Sequence, residues 1–98
     1  MYDTKYHIVV VLVECLLPEA QSLKDKRMVL RSLKDRARQK FNVAVAELDG
    51  HEKWQRMTVG FVLLGNEHKH LDRSAQYVLN FVETFDRIQI CDHRIEFI

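Results

Sequence analysis

The run YHIVVVLVECLL, Tyr6 to Leu17, constrains this chain more than any other stretch. Its valines and isoleucine restrict χ1 too strongly for a comfortable helix, and Pro18 ends it, so it reads as a long β-strand. Strand side chains alternate between two faces, and here both faces are apolar. Such a strand belongs in the middle of a sheet, and the rest of the chain must supply its neighbours and a covering layer.

QSLKDKRMVLRSLKDRARQK, Gln21 to Lys40, supplies the first cover. Ser22 is placed as an N-cap, with Asp25 three residues on to return a capping-box contact, and the helix is expected to run to about Phe41. At about 100° per residue, Leu23, Leu30, Leu33, Ala37 and Phe41 share the face that packs on the sheet. Lys26 falls on the same side, its stem expected over apolar surface and its ammonium emerging near the loop after the first strand. Met28 points the opposite way, to solvent.

NVAVAELD (Asn42 to Asp49) makes a second strand, Asp49-Gly50 opens a turn, and WQRMTVGFVLLG (Trp54 to Gly65) makes a third, the two forming a hairpin. Asn66 is expected to cap a second helix through EHKHLDRSAQYVLNFVETF, where Leu71, Ala75, Val78, Val82 and Phe85 recur every three or four residues. DRIQICDHRIEFI, Asp86 to Ile98, closes as a fourth strand. The order βαββαβ in 98 residues, with no linker or repeat, predicts one α+β domain. It is a ferredoxin-like sandwich, one four-stranded antiparallel sheet carrying both helices on one face. The other face is left uncovered and is expected to present Val10, Leu12, Leu16, Val62 and Leu64, an apolar area suited to a homodimer or a protein partner.

The formal net charge of +1 hides an uneven distribution. Leu23 to Lys40 holds eight basic and two acidic residues, net +6, and the remainder seven basic and twelve acidic, net −5. A local patch of this kind attracts polyanions. Within it Lys24, Arg27, Arg31, Lys34 and Arg38 recur at three, four, three and four residues and line one flank of the helix. Asp35 is placed to relieve only Arg31 and Arg38. Lys24, Lys26 and Arg27 also stand at the helix start, where the dipole prefers acids, so the arrangement opposes local stability without an evident structural gain. A solvated helix flank is the plain alternative to an anion-binding surface.

Other constellations exclude more than they offer. His68 and His70, two apart on a helix, do not converge on one metal, and His7, His51 and His93 are isolated. No Ser-His-acid set can be assembled, LLPEAQSLKDKR lacks the glycine of a phosphate loop, and VGFVLL carries Gly60-Phe61 without the later aromatics of an RNA-recognition motif. Cys15 and Cys91 show no CxxC spacing and are expected as buried free thiols. The expectation is a protein without metal or cofactor and without enzymatic activity. No apolar run approaches the roughly 20 residues of a membrane span, and the start MYDTKYH has no basic n-region or cleavage site. A mature, soluble, cytoplasmic chain is expected. Trp54 either seals the edge of the core or offers a ring to stack on a base, with Arg56 holding a phosphate.

LPEAQSLKDKRMVLRSLKDRARQKFNVAVAELD, followed by WQR, VGFVLLGN and NFVE, resembles the YlxP-like family of small bacterial proteins of unknown function, chiefly through QSLKDKR and FNVAVAE. The resemblance covers nearly the whole chain. It implies a ferredoxin-like fold, a bacterial cytoplasmic protein, and a genomic setting often beside translation and ribosome-maturation factors, such as initiation factor two and ribosome-binding factor A. It brings no catalytic residue. The shared motif positions are Ser22, Leu23, Lys24, Asp25, Lys26, Arg27, Trp54, Gln55 and Arg56, whereas Leu12 and Leu16 stand where family members often place polar residues.

Taken together, these features lead to the expectation of a non-enzymatic module that binds structured RNA, with ribosomal RNA as the leading form. Lys24, Lys26, Arg27, Arg31, Lys34 and Arg38 would carry the binding, with Trp54 and Arg56 as auxiliary contacts. The alternative expectation is a homodimeric interaction module that docks through the open sheet face and the basic helix.

Overall fold

The computed structural model describes residues 4–98; the first three positions of the start examined for a leader lie outside them. The elements are β1 (His7–Leu16), α1 (Leu23–Lys40), β2 (Ala44–Asp49), β3 (Arg56–Gly65), α2 (His68–Glu83) and β4 (Gln89–Phe97). They build one sheet in the order β2-β3-β1-β4, antiparallel at every pair. β1 is central, as its two apolar faces require, and the architecture is the ferredoxin-like sandwich.

The core lies between the sheet and the two helices. Val9, Val11, Val13 and Cys15 of β1 and Met57, Val59, Phe61 and Leu63 of β3 point into it and are buried. α1 adds Val29, Leu30, Leu33 and Ala37, and α2 adds Leu71, Ala75, Val78, Leu79 and Val82. Full burial of each Val or Leu side chain contributes about 1.5 to 3 kcal/mol, so this layer is the main source of stability. Val29 and Leu79 lie beside the expected stripes and widen them. Leu23 is only half-buried at the helix end.

Local chemistry explains most of the boundaries. The Asp25 N–H donates to Ser22 Oγ at 3.1 Å, and Asp25 Oδ2 accepts from the Gln21 N–H at 2.9 Å. The return contact of the capping box thus falls one residue before the cap. At α2 the cap is Glu67 rather than Asn66, and it makes no side-chain capping bond. β3 begins at Arg56, so Trp54 and Gln55 belong to the β2–β3 connection and not to the strand. β4 likewise begins three residues later than expected, because Arg87 adopts φ 68° in the left-handed region and breaks the extended chain before Gln89.

The two thiols differ. Cys15 is buried as expected, whereas Cys91 is exposed, because the β1–β4 register shifts there and Cys91 is the extra residue of a bulge. Cys91 Sγ lies 3.4 Å from the Glu14 carbonyl oxygen. Burial pushes the Cys15 thiol up to about 12, with Cys91 alongside adding to the rise. At pH 8 only about one Cys15 thiol in 10⁴ is then the reactive thiolate. Native protein titrated with a thiol-disulfide reagent at pH 8 should therefore react rapidly at one thiol per chain and at two only after denaturation. Two fast thiols in the native state would contradict the placement of Cys15.

Candidate nucleic-acid interface

α1 lies over the edge strand β2, while α2 lies over β1, β3 and β4. The flank of α1 turned towards α2 is marked by Arg36, 5.6 Å over the Phe85 ring, and by Lys40, 5.6 Å over Phe81. At about 100° per residue the row Lys24, Arg27, Arg31, Lys34, Arg38 falls roughly opposite that flank. It looks outward past the β2 margin. From Lys24 to Arg38 the row runs roughly 21 Å at 1.5 Å per residue.

Lys24, Arg27, Arg31 and Arg38 are exposed and Lys34 is half-buried. Among the described residues, Arg38 is the one member of the row with a carboxylate within 4 Å, at 3.9 Å from Asp35; Arg31, also expected to use Asp35, has no such contact. Four cations are left facing each other and the solvent. Like-charge neighbours on a helix cost ~0.2 to 0.5 kcal/mol each, so the row withholds on the order of 1 to 2 kcal/mol from the fold.

Lys26 departs from its expected place. Its stem does lie on the covered side, but the ammonium turns inward rather than out, and the side chain is 1% exposed. Nζ is 2.8 Å from Glu47 Oε2 and donates to the Gly50 carbonyl at 2.7 Å, with the carbonyls of His51 and Arg56 at 3.4 and 3.5 Å. The three carbonyls account for the three ammonium protons, and Glu47 balances the charge. The reason is β2: its alternation turns Val45 and Glu47 to the helix side, and a carboxylate under a helix needs a buried cation. Gly50 reaches the ammonium because it sits at φ 84°, a left-handed turn conformation that glycine adopts freely. Lys26 therefore cannot touch a nucleic acid. It fastens the first turn of α1 to the β2–β3 connection.

Gln55 completes the same junction. Its Nε2 donates to the carbonyls of Pro18 and Ala20 at 3.2 and 3.0 Å, and its own carbonyl accepts from the Leu17 N–H at 2.9 Å. The β1–α1 and β2–β3 connections are thus held together at one end of the molecule. Trp54, half-exposed, precedes Gln55 in that connection. Arg56 does not join them. It alternates with the core residue Met57, so its side chain lies on the open face of the sheet, 3.9 Å from Glu14. Sequence reasoning missed Glu47 and Gln55; the signal for Glu47 was an acid in phase with Val45.

A family model described as a protein of unknown function, DUF503, matches residues 8–95. The chain belongs to that family. A relative of this chain, the uncharacterized protein YlxP of Bacillus subtilis (strain 168), is 34% identical over 76 residues, covering 78% of this chain and 83% of its own length. Among solved structures, the de novo designed protein Foldit4 superposes with a TM-score of 0.55 over 94% of this chain and 96% of its own, at 11% identity. That likeness bears on the fold alone. The DUF503 match spans every element of the junction around Lys26 and the whole basic row.

Replacing Lys26 by Met keeps the stem and strands Glu47 beside unpaired carbonyls, which should cost about 3 to 5 kcal/mol in urea denaturation. The double variant Lys26→Met/Glu47→Leu should recover much of that loss. A single variant within ~1 kcal/mol of wild type would remove Lys26 from its structural role.

Proposed function

We propose that this DUF503 protein is a non-enzymatic, cytoplasmic binding module that engages structured RNA, ribosomal RNA being the leading form, through the outer flank of α1. The observation that carries the reading is the unpaired row: four of the five cations stand without an acidic partner among the described residues, on a straight rod roughly 21 Å long. Successive cations three or four residues apart lie about 5 to 6 Å from one another, a spacing suited to consecutive phosphates of one strand. Contacts of this kind recognise phosphate and shape, not sequence. Trp54 adds an exposed ring on the β2–β3 connection, which Lys26 and Gln55 tie to the α1 end of the molecule. Arg56 and Lys26, turned to the other face and to the interior, are not part of this surface.

A second reading rests on a different observation. Leu64, Leu48 and Val62 are 66%, 52% and 40% exposed on the open face of the sheet, around half-buried Val10 and Leu12. An apolar area of that kind favours a module that dimerises through the sheet.

The RNA reading is tested by binding a structured RNA across a salt series. Neutralising four or five phosphates gives a slope of log K against log[salt] near −3 to −4. The variant Arg27→Glu/Arg31→Glu/Lys34→Glu should lose retention while melting at or above the wild-type temperature, since two of the four like-charge contacts become attractive. Retention unchanged by the triple reversal would overturn the proposal.

A further inference from the structure

The open sheet face is built of cross-strand rows, and two of them match each other. Ala44, Val62, Val10 and Glu96 stand side by side across β2, β3, β1 and β4. One step along, Ala46, Gly60, Leu12 and Arg94 form the next row. Between them lies the level of Val45, Phe61, Val11 and Ile95, whose side chains turn to the helices.

From this pattern we infer that the face binds a second copy of this chain about a two-fold axis running across the strands at the level of Val11 and Ile95. The inference rests on the second reading above and is independent of the RNA reading. A two-fold contact is isologous, so a surface must complement itself. This axis lays each row on the other row of the partner, and every position then meets a suitable one. Ala44 faces the partner's Ala46, small against small, and Val10 faces the partner's Leu12. Val62 faces the partner's Gly60, where no side chain stands; Leu48 leans over that gap, its Cδ1 only 2.7 Å from where a Cβ would be, so Val62 meets apolar surface. Glu96 faces the partner's Arg94, and Arg94 the partner's Glu96. Within one chain these two already pair at 2.9 Å, so the contact closes a ring of two acids and two bases.

Size and charge favour this occupant over others. Four strands about 4.8 Å apart, of 10, 6, 10 and 9 residues at about 3.3 Å each, present a footprint of about 550 Å². Two copies would cover ~1,100 Å², above the ~1,000 Å² that a specific interface needs. Glu14, Asp92 and Glu96 outnumber Arg56 and Arg94 on this face, which disfavours a polyanion. Sheet twist splays the outer rows of two aligned sheets, so the two central rows make the close contact.

Sedimentation velocity from about 1 to 100 µM tests the assignment. Wild type should sediment as a dimer at the upper end. Val62→Glu should be monomeric throughout and should melt near wild type at ~1 µM, where the wild-type dimer is dissociated. Arg94→Glu sets acid against acid and should raise the dimer dissociation constant ~10-fold or more. The double exchange Arg94→Glu/Glu96→Arg restores both reciprocal pairs and should return the constant to within ~3-fold of wild type. Loss of the dimer in Val62→Glu with no response to Arg94→Glu overturns this axis and leaves the second reading standing. A wild-type chain monomeric at 100 µM, or a dimer indifferent to Val62→Glu, overturns both.

Discussion

The buried ammonium of Lys26 is the constraint on which the relation of helix to hairpin depends. Apolar packing would let α1 slide or rotate over β2 at small cost, since Val and Leu contacts are not directional. An ion pair to Glu47 with bonds to the Gly50 carbonyl is directional, and it admits one position of the first turn. A buried pair of this kind adds little net stability over an apolar substitute. What it adds is register, here between a helix start and a turn 24 residues further along the chain.

Register in turn divides the surface. With the first turn of α1 fixed on the β2–β3 connection, Lys24 and Arg27 fall on the outside, and the rest of the row follows down the flank. The same sheet carries its apolar rows on the opposite side. A ligand on the flank and a second copy on the sheet face would not compete for space. Two copies joined about the axis across the strands lay β2 over β2, so both basic flanks look out past the same margin of the assembly, one from each helix layer.

Most of the fold was legible because it rests on periodicity, the two-residue alternation in β1 and β3 and the three-to-four spacing in both helices. The limits of β3 and β4 were less so: Trp54 and Gln55 suit a strand by residue type, but the bonds of the Gln55 side chain to Pro18 and Ala20 and the positive φ of Arg87 arise only in the folded chain. The site was legible as a row and illegible residue by residue. A helical wheel places Lys26 on the covered side without saying whether its ammonium reaches water, and a charge count treats it like its neighbours. Reading Glu47 in phase with Val45 would have supplied the missing partner. Arg56 was joined to Trp54 as an auxiliary contact because the two are near in sequence, yet Trp54 precedes the strand and Arg56 opens it with its side chain on the uncovered face.

β2 leaves a free edge. It is six residues long and pairs only with β3, so its outer N–H and C=O groups are open to another strand. The α1 flank that looks past this edge carries like charge over nearly its whole length. A second β2 approaching to extend the sheet brings its own cations with it, and the two rows repel before the backbones reach bonding distance. Growth of the sheet at this margin is thus opposed by a guard that is purely electrostatic. Such a guard is strong in dilute buffer, weakens as added salt shortens the Debye length, and is lost when a polyanion settles on the flank and covers the margin itself.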